Sequence, residues 1–294
     1  MSEKPDNGIY NISEIIKARY SCRTYQKIPV TPDVIRCLET WISSAPVIPF
    51  NNPIRISVIH ATSEHKHELS RLGTYGFIRN PAGFFVGAVK RNAYHLEDFG
   101  YLFECLILYA LEIGLGTCWL GGSFTRSTFT RTIELRDDEV MPAVVSFGYI
   151  PNQPNVIDTA IRHRIKAGYR LPWDEIFFDG SLDHPLHPQN EDRYREALEM
   201  VRLAPSASNL QPWRIIRDRN QYHFYIKRTP GYRKNIVTSL LQIEDLQRLD
   251  IGIAMSHFSL TNQSLGINGK WTVLQDRPNY SKKHLEYIVT WLGE

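Results

Sequence analysis

Asp98-Phe-Gly-Tyr-Leu-Phe-Glu-Cys-Leu-Ile-Leu-Tyr-Ala-Leu-Glu-Ile-Gly-Leu-Gly-Thr-Cys-Trp119 is the stretch on which the fold turns. Phe99, Leu102, Phe103, Leu106, Ile107, Tyr109, Ala110 and Ile113 leave little polar face, which predicts a helix from His95 to Gly114 at the centre of the molecule. A second copy follows: Asp98, Gly100, Leu108, Gly114 and Trp119 recur as Asp250, Gly252, Leu260, Gly266 and Trp271 at a constant spacing of 152 residues. Ala45-Pro46, Pro53 and Arg55-Ile56 likewise recur as Ala204-Pro205, Pro212 and Arg214-Ile215 at a spacing of 159. Neither window needs a gap, and their shared order indicates an internal duplication. The two central helices are then expected to pack on each other, as in a homodimer made covalent. The competing reading is two unrelated helices that share Ala-Pro stops and a glycine.

Working outward, 294 residues suffice for one large core or two smaller ones. With 43% hydrophobic and 22% charged residues the chain is too apolar for disorder. A net charge of +3 is too small to imply nucleic acid or an anionic membrane as partner. Leu102 to Leu111, the most apolar run, carries Glu104 and falls far short of the about 20 apolar residues that cross a bilayer. Met1 to Tyr10 lacks the apolar stretch of a signal peptide. Cys22, Cys37, Cys105 and Cys118 form no C-x-x-C pair, which fits a reducing cytoplasm and offers no metal site.

Asn11-Ile-Ser-Glu14 predicts a capped helix to Arg19, followed by an extended Ser21 to Tyr25. Thr31-Pro32 opens a helix toward Ser44, which Ala45-Pro46 ends. Strands are expected around Ile56 to Ile59, from Gly83 to Val89 and from Val144 to Gly148, with a helix over Glu64 to Leu72. Asp179 to Asp192, with Gly180, Pro185 and Pro188, reads as the linker between halves covering residues 1–180, which include a connecting arm, and 181–294.

Two segments offer ligand chemistry. Arg19-Tyr20-Ser21-Cys22-Arg23 presents two guanidiniums and a hydroxyl, a set suited to phosphate, although solvated charges at a helix C-terminus explain it equally well. Ala204-Pro-Ser-Ala-Ser-Asn-Leu-Gln-Pro-Trp213 combines small residues, over which backbone approaches a flat ligand, with the amides of Asn209 and Gln211. Gly114 to Gly122 fails the dinucleotide fingerprint, because Trp119 stands where the third glycine belongs; a helix stop and turn, or a glycine-lined approach to a ring, remain. Arg162, Arg164, Lys166 and Arg170 form a basic run on the connecting arm, which reads either as solvated surface or as a group of which one member closes over a phosphate. His65 and His67 read as surface, and no catalytic triad or carboxylate pair emerges.

Together these segments, with Gly73-Thr-Tyr-Gly76, Tyr169 to Trp173 and Asp250 to Phe258, resemble the FMN-dependent nitroreductase superfamily, and within it the fused, pseudodimeric branch of TM nitroreductases. The resemblance implies an α+β nitroreductase-like fold of two related half-domains, active as a monomer. It implies that Arg19, Tyr20, Ser21, Arg23 and Arg170 belong to the phosphate and ribityl grip of FMN. Pro205, Ser206, Ser208 and Asn209 would form the loop that meets the ring, and Gly121 and Gly122 the backbone near flavin N5. The implied reaction passes hydride from NAD(P)H to FMN and on to a small acceptor such as a nitroaromatic or quinone, with no side-chain acid; a non-catalytic flavin carrier or scaffold is the alternative. Gly168 departs from a lysine found in some members, which lowers the expected phosphate affinity.

Overall fold

The computed structural model describes residues 11–60, 78–122, 126–152, 168–191, 193–232, 244–276 and 284–294. The expected helix over Glu64 to Leu72, His65 and His67, Gly73 to Gly76, and Arg162, Arg164 and Lys166 lie outside them.

The chain opens with α1 (Ile12–Ala18), capped by Asn11, whose side chain accepts from the Ser13 amide, and α2 (Pro32–Ser43), with proline at its first position. Strands β1 (Ile54–His60) and β2 (Gly83–Lys90) follow, then the central helix α3 (His95–Glu112), whose residues are almost all buried. Gly114 takes a left-handed φ of 88° and turns the chain directly into β3 (Leu115–Leu120). The helix stops there, as one of the two readings had it, and a strand follows directly. Helix α4 (Arg126–Thr132), the short β4 (Glu139–Val140) and β5 (Val144–Tyr149) complete the first sheet. After α5 (Trp173–Ile176) come β6 (Phe177–Asp179), β7 (Ser181–Pro185), α6 (Arg195–Leu203), β8 (Trp213–Asp218), β9 (Gln221–Lys227), α7 (Leu246–Ser264), β10 (Gly269–Thr272) and β11 (Leu285–Gly293).

The two sheets repeat one topology. The first has strand order β1-β2-β5-β3, with β4 on β2, and the second contains β8-β9-β11-β10; every pairing within these two quartets is antiparallel. In each, the first two strands precede the central helix and the last two follow it. The duplication read from ten scattered identities is thus a duplication of architecture.

The segment expected to be a linker is built into the second sheet. β6 pairs in parallel with β8, and β7 folds back on β6 through Gly180, whose φ is 64°. Gly180 and Pro185 serve a tight hairpin at a sheet edge, where proline is tolerated because no partner strand needs its missing N–H.

Helices α3 and α7 pack along one another at the centre. Their closest approach falls at the repeat-related pair Gly100 and Gly252: a Cβ on either would collide with the opposing backbone, at the Leu249 carbonyl oxygen for Gly100 and the Glu97 carbonyl oxygen for Gly252. Glycine is required there for backbone-to-backbone contact. Around this crossing a single apolar core runs through both halves, from Phe99 and Phe103 to Ile251, Met255 and Phe258. No helix of the described residues is long and apolar enough to cross a membrane.

Candidate functional site

A cleft of about 390 Å³ opens between the halves. That is the size of pocket that holds a cofactor-sized molecule. It is lined by Arg19, Ser21, Arg23 and Arg170, by Trp119, Gly121 and Gly122, and by Pro205 to Asn209 with the apolar side chains Leu246, Leu249 and Ile253 of α7. Ten of the eleven residues singled out from sequence therefore converge on one cavity. Tyr20 does not; its ring packs on the satellite core of Cys22, Tyr25 and Phe129.

The basic segment is placed by backbone pairing. Ser21 bridges Thr117 of β3 in parallel, and the Cys22 amide donates to the Thr117 carbonyl at 2.8 Å. Gly116 makes this possible, since a Cβ there would stand 3.0 Å from Cys22 Cβ and 2.8 Å from Ile150 Cγ1. Tyr25, buried with its hydroxyl 2.8 Å from Ser146 Oγ, pins the end of the segment.

The loop opposite is held in an unusual conformation. Ser208, Asn209 and Gln211 have φ of 52°, 55° and 49°, the left-handed region that costs a non-glycine residue about 1 kcal/mol or more, least for asparagine. Cross-links fix it: the Gln211 amide donates to Ser206 Oγ at 2.8 Å, and the Leu171 amide donates to Gln211 Oε1 at 2.8 Å. Gln211 is spent on this stitching and buried, so it does not line the cleft as the sequence had suggested. Asn209 lines the cleft and is stitched as well: its Oδ1 accepts from Arg170 Nη1 at 3.1 Å, and its Nδ2 donates to the Tyr169 carbonyl at 2.9 Å. Arg170 also donates to the Leu203 carbonyl at 3.0 Å. Burial, and then the cations of Arg19 and Arg202, bring its pKa down to about 10, so it stays charged at neutral pH. A guanidinium that a neighbouring cation disfavours in this way gains from an anion placed between them.

Beside Arg19 stands a group that sequence reading passed over. Glu104 of α3, fully buried, accepts from Trp119 Nε1 at 2.8 Å, has His257 Nε2 of α7 at 3.0 Å, and pairs with Arg19 Nε at 3.7 Å. Burial works to raise its carboxyl pKa, but His257, Arg19 and Trp119 outweigh that and hold it below the usual carboxylate value. A lone acid inside the apolar run from Leu102 to Leu111 was the signal available, because a buried charge requires partners.

At the position related by the repeat, the loop is held and filled differently. In the first half, Asp98 Oδ1 accepts from the Phe50 amide at 3.0 Å, and Oδ2 accepts from both nitrogens of Asn52 at 2.9 Å. Phe50 stacks on Tyr94 at 4.3 Å, filling the position with rings. Its counterpart Asp250 accepts only from the Ala207 amide, at 3.0 Å, and its buried Oδ2 has no partner among the described residues. Burial raises the pKa of both, Asp250 well above the ordinary carboxylate value, and Asp250 lines the cleft.

The paired half-sheets, the crossed central helices and the cleft between them define an α+β nitroreductase fold with two related halves in one chain. The family model described as Putative TM nitroreductase matches residues 11–262, and the chain belongs to that family. A putative nitroreductase from Thermotoga maritima matches it in structure at 18% identity with a TM-score of 0.62, covering 99% of each chain. A nitroreductase family protein from Clostridium difficile, 21% identical with a TM-score of 0.42, is covered over 94% of its length by 55% of this chain. An FMN-dependent nitroreductase from the same species, at 19% identity and a TM-score of 0.40, is covered over 92% of its length by 49% of this chain. No curated protein matches the chain.

Proposed function

We propose that the protein is an FMN-dependent oxidoreductase that takes hydride from NAD(P)H and delivers two electrons to a small oxidised acceptor of the nitroaromatic or quinone type. The observation that carries this reading is the convergence, in one cleft, of the Arg19, Ser21, Arg23 and Arg170 group from one side and the Pro205 to Asn209 loop from the other. FMN needs a dianion grip at one end and a flat, largely apolar slot at the other, and the residues present fit both demands. Arg19, Arg23 and Arg170 supply charge-assisted donors for the phosphate and Ser21 a neutral one. Trp119, Leu249 and Ile253 supply apolar surface for the ring, while Gly121 and Gly122 let backbone approach it. When bound, FMN supplies reversible two-electron chemistry; the protein's share is placement and electrostatics. The left-handed loop is already set, so little ordering is left to oppose binding. Burial of Asp250 disfavours its charged form, which lessens the negative charge facing a ring that becomes anionic on reduction.

The chain carries both sides of the cleft, which supports a monomer acting as its own pseudodimer, with halves meeting near residue 180. Cys22, Cys37, Cys105 and Cys118 are free thiols, consistent with work in the cytoplasm. Anaerobic visible spectra of the FMN-loaded protein test the proposal. An enzyme bleaches on addition of NADH or NADPH and regains colour with a quinone; a flavin that binds but stays oxidised with both donors would make the protein a carrier instead.

A further inference from the structure

Glu104 gathers partners from three elements, and two of the three line the cleft: Trp119, which donates a hydrogen bond to it, and Arg19, whose Nε forms an ion pair with it at 3.7 Å. The third, His257, comes from the opposite half and is braced in turn, its Nδ1 lying 2.8 Å from the Met200 carbonyl oxygen. Both ring nitrogens of His257 thus face oxygen atoms, which fixes the ring between the Met200 carbonyl and the Glu104 carboxyl.

The duplication supplies an internal control. At the positions matching Glu104 and His257 the other half carries Ser256 and Cys105. The counterpart of Trp119, Trp271, donates instead to Ser259 Oγ at 2.8 Å. Neutral groups therefore suffice to pack the equivalent corner of the central helices. A buried ionic cluster carries a desolvation cost that a neutral one avoids. It stands only behind the half that has an open basic cleft.

We propose that Glu104 is a positioning residue for the cleft: gripped by His257 from the other half, it fixes the Arg19 guanidinium and the Trp119 indole so that the phosphate of a bound flavin meets a pre-set cation. This rests on the flavin reading above. Preorganisation matters because a guanidinium free to rotate loses more entropy on meeting its anion. The carboxylate also acts in the opposite sense, since a negative charge 3.7 Å from Arg19 offsets part of its attraction for phosphate. Positioning and neutralisation thus predict opposite signs when the charge is removed.

The test is fluorescence titration of the full-length protein and of Glu104→Gln and His257→Gln with FMN and with riboflavin, which has the same ring and no phosphate. Glu104→Gln keeps the size of the side chain and an oxygen for Trp119. It should weaken FMN roughly tenfold and leave riboflavin within about twofold. His257→Gln, which retains an N–H for the carboxylate, should bind FMN much as the wild type does. Unchanged or tighter FMN binding by Glu104→Gln would overturn the proposal in favour of neutralisation. Equal loss of both flavins would also overturn it, reducing Glu104 to a core residue. A wild type that binds FMN no better than riboflavin would bring down the phosphate grip and this inference together; wild-type selectivity retained in Glu104→Gln would sink the inference alone.

Discussion

Gly252→Ala should destabilise the protein, against the ordinary rule for such a change. In a helix interior, glycine to alanine normally gains about 0.5–1 kcal/mol by restricting the unfolded chain. Here the added Cβ would stand 2.8 Å from the Glu97 carbonyl carbon and 2.8 Å from the Tyr101 amide nitrogen, and nearer still to the Glu97 oxygen, where ordinary contact begins at 3.4 Å. All three are backbone atoms of α3, so no side chain can turn away; the helices must separate by about 0.6 Å or more. Overpacking of this kind costs about 1–3 kcal/mol. The shift also passes to Leu249 and Ile253, one turn or less away on α7 and part of the cleft wall. We expect a net loss of about 2 kcal/mol in urea denaturation with m unchanged, together with weaker flavin binding. Gly168→Ala is the control, since a Cβ there meets nothing within 4 Å among the described residues. Gly252→Ala within about 0.5 kcal/mol of wild type would refute the close crossing of the central helices.

Arg19→Ala or Arg23→Ala should lower FMN affinity roughly ten- to a hundredfold, and Arg162→Ala far less; equal, small losses at all three positions in a flavin titration would dismiss the phosphate assignment. Asn209→Leu should damage turnover, because it removes the Oδ1 partner of Arg170 and replaces a residue suited to a φ of 55°, whereas Phe50→Leu should mainly loosen the stack on Tyr94. Flavin loss from Phe50→Leu with Asn209→Leu silent would reverse that assignment. Burial raises Glu97 from 4.5 to about 7, although Arg248 Nη2 lies 2.6 Å away and works against the shift. The folded state then holds a proton that the unfolded chain has released, so this contribution to stability is full below about 4.5 and is lost as pH rises to about 7. Relative to wild type, Glu97→Gln should flatten stability across that window, by up to about 1.4 kcal/mol per pH unit; parallel pH profiles for the two proteins would contradict it.

Much of the architecture was legible because it rests on backbone demands that only certain residues meet. Gly100 and Gly252 recur at one spacing because two helices must touch there, and Asp98 and Asp250 recur because each caps a loop amide, Phe50 and Ala207 respectively. Strand β3 escaped notice because Gly114 and Gly116 punctuate its start and glycine is depleted in strands; its partner β5 and the Ser21 segment decide its conformation. The hairpin of β6 and β7 was read as a linker because a tight turn and a flexible tether use the same glycine and proline. In the cleft, charged and small residues were legible from local chemistry. The use of Asn209 and Gln211 was not, since both are consumed by Tyr169, Arg170 and Leu171, which are distant in sequence. Glu104 and His257 stayed hidden for the same reason: their meaning appears only when α3 and α7 cross.

The central claim is that two duplicated halves build one working flavin cleft in a single chain. Equilibrium titration with FMN, read alongside the sedimentation mass of the loaded protein, tests it most directly. Saturation is expected at one FMN per chain on a monomer, because Phe50 and the saturated Asp98 close the counterpart position. Saturation at two FMN per chain, or binding confined to a dimer of chains, would contradict it.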